Sequence, residues 1–137
     1  MKNVMQKDLW EHIKAFPADF ERGVSDCCSF AATWAERVSG TLPGSELLGR
    51  GLSDREAMGI LRKHGGMEDM VDKMLTSCGW VEVDQWEDGD IVIIHIKNGF
   101  LRQSVGVYSQ TKVISASERG GVLIVPKPDI ARGWRWV

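Results

Sequence analysis

The periodicity of this chain changes once, at Trp80, and that change constrains the fold more than any other feature. Before it, apolar residues recur at spacings of three and four; after it, short β-branched runs alternate with turn residues. Halves segregated in this way predict an α+β domain, with helices first and a small antiparallel sheet second, rather than alternating βαβ units. At 137 residues, 43% hydrophobic and 26% charged, the chain suits one globular domain spanning 1–137.

In the first half, Val4, Met5, Leu9, Trp10, Ile13 and Phe16 form a stripe that Pro17 closes, predicting a helix over 4–16 with His12 on its solvent side. Ser25 is placed to cap a second helix whose buried face is Cys28, Ala31, Ala32, Ala35 and Val38, ending at Gly40. The loop TLPGSELLGRG, punctuated by Pro43, Gly44, Gly49 and Gly51, leads to a capping box of Ser53 and Glu56. A third helix then runs to His64, whose ring is expected near the last carbonyls, before Gly65-Gly66 breaks it. Met67, Met70, Val71, Met74, Leu75 and Cys78 mark the inward face of a fourth.

In the second half, VEV, DIVIIHI, LRQSVGVY, KVISAS and GVLIV read as strands joined at Asp88-Gly89, Asn98-Gly99, Ser109-Gln110 and Gly120-Gly121. Asn98-Gly99 is the strongest hairpin signal. Pro126 and Pro128 interrupt the sheet before GWRWV, which returns as a last strand or packs as an aromatic clasp.

Charge and composition exclude several functions. A net charge of −2 without like-charge blocks gives no footprint for nucleic acid. The amino-terminal stretch is charged throughout and no run has the length of a membrane span, so the expectation is a protein made in the cytoplasm without a span. Three cysteines, two of them adjacent, argue for reduced thiols rather than a disulfide framework. His12, His64 and His95 match no zinc spacing, and no metal or other cofactor is expected.

The chemistry concentrates at Ser25-Asp26-Cys27-Cys28. A thiol in the first turn of a helix sits among free amides and the positive end of the dipole, which lowers its pKa and makes Cys27 a candidate nucleophile. The same amides could contribute an oxyanion site. Cys28 and Cys78 read as core.

Asp26-Cys27, Gly89-Asp90-Ile91-Val92, Ser104-Val105-Gly106-Val107-Tyr108 and Ile114-Ser115-Ala116-Ser117 resemble, in order and spacing, the motifs of NlpC-type papain-like cysteine peptidases, which hydrolyse cell-wall peptides. A closer resemblance, through Asp26-Cys27-Cys28, Lys63-His64-Gly65-Gly66-Met67 and Trp134-Arg135-Trp136, is to short phage-encoded members found among tail genes. It implies a papain-like domain acting in the virion tail tip or its assembly, with other tail proteins as partners and peptidoglycan as a further one. Serine stands at both family histidine positions, Ser104 and Ser115, and a hydroxyl cannot hold a proton at neutral pH as imidazole does.

His95, on a sheet strand, is the weak candidate for a replacement base; its parity with Ile91 and Ile93 puts it in the core or at the strand end. Ser104 and Ser115 are expected to hydrogen-bond each other or Cys27. Trp134, Arg135 and Trp136 are residue types favoured in binding hot spots and form the candidate interface. Three functional classes follow: a structural or assembly component without turnover, an active cysteine hydrolase of peptidoglycan peptides, and an acyltransferase or thiol-redox protein using Cys27 and Cys28. Vicinal cysteines are poorly placed for a ready disulfide.

Overall fold

The computed structural model describes residues 2–45, 51–97 and 101–137, with side chains from residue 7 onward. The expected Asn98-Gly99 turn, Gly49, and the side chains of Val4 and Met5 lie outside the described residues. The chain forms helices α1 (Lys2–Ala15), α2 (Cys27–Ser39), α3 (Asp54–Lys63) and α4 (Met67–Ser77). Strands β1 (Val81–Val83), β2 (Ile91–His95), β3 (Gln103–Ser109), β4 (Lys112–Ala116), β5 (Val122–Val125) and β6 (Asp129–Arg135) follow. The architecture is α+β: the six strands make one antiparallel sheet in the order β1-β6-β2-β3-β4-β5.

α1 buries Leu9 and His12, with Ile13 and Phe16 half-buried, so its inner face follows spacings of three and four. This corrects two expectations. Trp10 lies off that face and is 58% exposed, with the Lys14 ammonium 5.6 Å from its ring centre. His12 turns inward instead, where its Nε2 is 3.0 Å from the Phe30 carbonyl. Burial holds its imidazolium form below the usual range despite that bond.

Asp26, not Ser25, caps α2. Its carboxylate accepts the Ser29 N–H at 2.9 Å while Ser29 Oγ accepts the Asp26 N–H at 2.8 Å, a reciprocal box at the helix start. Ser25 secures the preceding turn, donating to the Asp19 carbonyl and accepting the Glu21 N–H. α2 packs on β3 and β4, and α4 on β1 and β6. The Trp34 indole N–H on α2 donates to the Gly89 carbonyl at 3.0 Å, tying the helix to the head of β2.

β2 is buried on both faces. Ile91 and Ile93 join the main core beneath the helices; Val92 and Ile94 join Val113 in a smaller cluster on the far face. Trp86 packs against that far cluster, and Gly133 of β6 admits it: a Cβ there would meet the Trp86 ring at 2.6 Å. The register of β2 against β6 slips between Ile93 and Ile94, a bulge at Ala131.

The β3–β4 hairpin turns through Gln110 and Thr111, with φ of 50° and 68°. Left-handed backbone is costly for residues with a Cβ, and most costly for a β-branched one. Replacing Gln110-Thr111 by Asn-Gly should therefore stabilise the domain by about 1 kcal/mol. A rise in the urea midpoint with an unchanged slope would report it; no change would mean that the turn stores no strain in solution.

Candidate functional site

The site grows from an interruption of the β3–β4 ladder. β3 and β4 are laddered from Val107–Ile114 to Ser109–Lys112 and no further. Beyond that, side chains take the polar groups of Val105: its carbonyl accepts the Ser115 hydroxyl at 2.8 Å, and its amide donates toward the sulfur of Cys27. The first turn of α2 thus closes the gap with the Cys27 thiol, which is why a cysteine at the first helical position meets two strands far away in sequence.

Ser104 Oγ and Ser115 Oγ lie 3.0 Å apart, so the two serines meet as expected, and Ser104 also touches Cys27. Each hydroxyl has one proton. With Cys27 as thiol, the protons run in one direction, from sulfur to Ser104, to Ser115, to the Val105 carbonyl, and every acceptor is used. With Cys27 as thiolate, Ser104 must turn to donate to sulfur and Ser115 must leave Val105 to follow it. The Ser104 hydroxyl therefore favours the thiolate, but less than the Cys28 thiol does.

The neighbouring Cys28 thiol has the larger effect, drawing the Cys27 pKa below that of an ordinary thiol against the opposing effects of burial and the Asp26 carboxylate. The Cys28 thiol itself is pushed well up by Cys27 beside it and by burial. The Asp26 carboxylate is occupied by the Ser29 amide and, at 2.8 Å, the Gly23 amide, so it orients the helix start rather than serving as a base.

Beside the thiols lies a half-open cavity of about 100 Å³, between α2, α3 and α4. Its walls are apolar apart from Arg22 and Asp26 at one end: Ala31 and Ala32 of α2, Ile60 and Leu61 of α3, and the methionines of α4. α3 has no fully buried residue and rests on the cavity by its Ala57, Ile60 and Leu61 face.

No histidine lines this cavity. His95 ends β2, exposed, paired in register with Gln103 and Asp129, and borders a neighbouring groove that shares Leu61, Met67 and Leu101 with the cavity. His64 caps α3, its carbonyl accepting from Lys73 at 3.4 Å. His12 borders a third groove, with Phe16 and Thr33.

The carboxy-terminal trio separates in space. Trp134 is fully buried and donates its indole N–H to Asp72 at 2.9 Å. Arg135 forms a fork with Asp90, Nε to Oδ1 at 2.9 Å and Nη2 to Oδ2 at 2.8 Å. Trp136 presents the most surface of the three, 39% exposed, beside Val137 and against Trp80. Trp134 offers no contact surface, and the Arg135 guanidinium, a quarter exposed, is held by Asp90.

A family model described as a domain of unknown function (DUF6950) matches residues 5–136, nearly the whole chain. The chain belongs to that family. No curated protein and no solved structure matches it significantly. What this DUF6950 chain contributes chemically is thus to be sought in its own site: a thiol pair at a helix start, a serine pair where the β3–β4 ladder breaks off, and an apolar cavity beside them. Among the described residues no group of three or more His, Cys, Asp and Glu is arranged to hold a metal ion, and no helix is long and apolar enough to cross a membrane.

Sequence reasoning missed the Asp90–Arg135 fork and the cavity. The first had a signal, a buried-strand Asp and a cation between two tryptophans. The second had only the methionine stripe of α4, which reads equally well as core.

Proposed function

We propose that this protein is a structural or assembly component of a phage tail tip, built on a papain-like domain that contacts partners rather than turning over substrate. The tail assignment rests on the sequence resemblance. The observation that carries the absence of turnover is the surroundings of Cys27: where a cysteine hydrolase needs an imidazole to take and return the proton, two hydrogen-bonded serines stand. No histidine lines the adjoining cavity to replace them. The partner surface in this reading is the exposed Trp136 end, and the partners are other tail proteins.

The test is incubation of the isolated chain with peptidoglycan peptides. No cleavage above that of Cys27→Ala is expected, and assembly with tail proteins should be lost in Trp136→Ala. Cleavage abolished by Cys27→Ala would instead establish the second reading, a cysteine hydrolase of cell-wall peptide bonds. One feature favours that alternative: the neighbouring Cys28 thiol, which draws the Cys27 pKa down.

The same neighbour predicts a pH profile. Cys27 should be alkylated faster than Cys28, with a midpoint lowered from that of an ordinary thiol. Cys28→Ala removes that neighbouring thiol, so the midpoint should move up and labelling at pH 7 should slow. Peptide-resolved mass spectrometry reads both; an unchanged midpoint in Cys28→Ala would show that the thiols do not interact.

A further inference from the structure

We propose that Cys27 accepts a short acyl group from an acyl thioester and holds it, with the alkyl chain in the apolar cavity between α2, α3 and α4. The inference begins from size and lining. The cavity, about 100 Å³, is smaller than the roughly 150 Å³ apolar cavity that takes one benzene ring, so it suits a chain of about four carbons. Ala31 and Ala32 leave room beside the thiols, and Met67, Met70 and Met74 supply flexible walls that adapt to an alkyl chain. An alkyl chain is thus favoured over a charged peptide end, and Cys27 stands on the same wall, where the chain would present its carbonyl.

The step needs no histidine. Cys27 thiolate attacks the thioester carbonyl, forming a C–S bond and a tetrahedral oxyanion near the amides of the first turn of α2, which have no intrahelical acceptors. Collapse breaks the carbon–sulfur bond to the donor, whose thiolate leaves and takes from solvent the proton that Cys27 had given up. One thioester replaces another. Hydrolysis would require a water activated by a base, and Ser104 and Ser115 cannot serve, so the adduct persists; that persistence rests on the function proposed above.

The probe is butyryl-N-acetylcysteamine, compared with its acetyl analogue, on the full chain. Burial of two further methylenes predicts about a tenfold faster adduct on Cys27 with butyryl, after correction for their rates with a free thiol. Ala32→Phe fills the cavity and should abolish that preference while iodoacetamide still labels Cys27, and a circular dichroism spectrum and melt like those of the wild type show that the variant is folded. Independently of any variant, butyramide should shift the methyl resonances of Met67, Met70 and Met74 more than acetamide does. Equal corrected rates, modification on Cys28 or Cys78 instead, or no methionine shift would each overturn the acyl site. Repeated release of free butyrate would keep the acyl site and overturn the non-turnover function.

Discussion

Arg135→Ala should destabilise the domain by about 3 kcal/mol or more, because it strands the Asp90 carboxylate in the interior. Asp90 is 1% exposed at the head of β2. Its two oxygens take both prongs of the Arg135 guanidinium, and Oδ2 also takes the Glu87 amide at 2.8 Å. Without Arg135 one amide bond remains for a buried anion. Asp90→Ala should cost less, since Arg135 is a quarter exposed and keeps the Gln85 carbonyl at 2.8 Å and Glu87 at 3.4 Å. The double variant should lose less than the sum of the two, with a coupling of about 1–3 kcal/mol. Chemical unfolding of the four proteins closes this cycle. Additive losses would mean that the fork is not formed in solution, and Arg135→Lys, which cannot grip both oxygens, should fall between wild type and alanine.

The second large effect separates the two carboxy-terminal tryptophans. Trp134→Ala is expected to cost about 3–5 kcal/mol, the range for emptying a buried aromatic site. Its ring is wholly inside, its N–H is bonded to Asp72, and the Arg132 guanidinium lies 5.2 Å from its centre while also gripping Glu82. Trp136→Ala leaves the core intact and should cost about 1 kcal/mol or less. Thermal melts distinguish them directly. Two similar losses would place Trp136 in the fold rather than at the surface and remove the physical basis for a partner contact there.

These two residues show how far the sequence could be read. The order and type of the elements were legible because the apolar stripes of α2 and α4, the Ser53 capping box and the turn residues between strands are local signals. The meeting of Ser104 with Ser115 was legible only as nearness on neighbouring hairpin strands, since the β3–β4 register continued would set Ser115 opposite Gly106. Failures came where a long-range partner decides. His12 looked solvated because its place on α1 was judged from α1 alone, whereas the Phe30 carbonyl of α2 draws it inside. Trp134 and Arg135 looked like interface because their partners, Asp72 and Asp90, lie 62 and 45 residues away. The cap moved from Ser25 to Asp26 because both types cap well and only the backbone before the helix chooses between them. In the site, Cys27 was visible as a helix-start thiol, while the influence of Cys28 on it and the interruption of the β3–β4 ladder depend on side-chain direction, which spacing does not encode.

The place of β6 bears on how the protein comes into being. This strand is the last in sequence, yet it lies between β1 and β2 and carries the partner of Asp90. During synthesis the hairpins from β2 to β5 can pair as they emerge, but β1 has no neighbour until residues 129–135 leave the ribosome. Closure therefore waits until residues 129–135 have emerged, through contacts between distant parts of the chain, the slow kind in folding. Until then Ile91 and Ile93 lack one flank and Asp90 lacks its cation. A chain stopped a few residues early is consequently an unfinished sheet with an open central edge, a target for chaperones and proteases rather than a shorter version of the same domain.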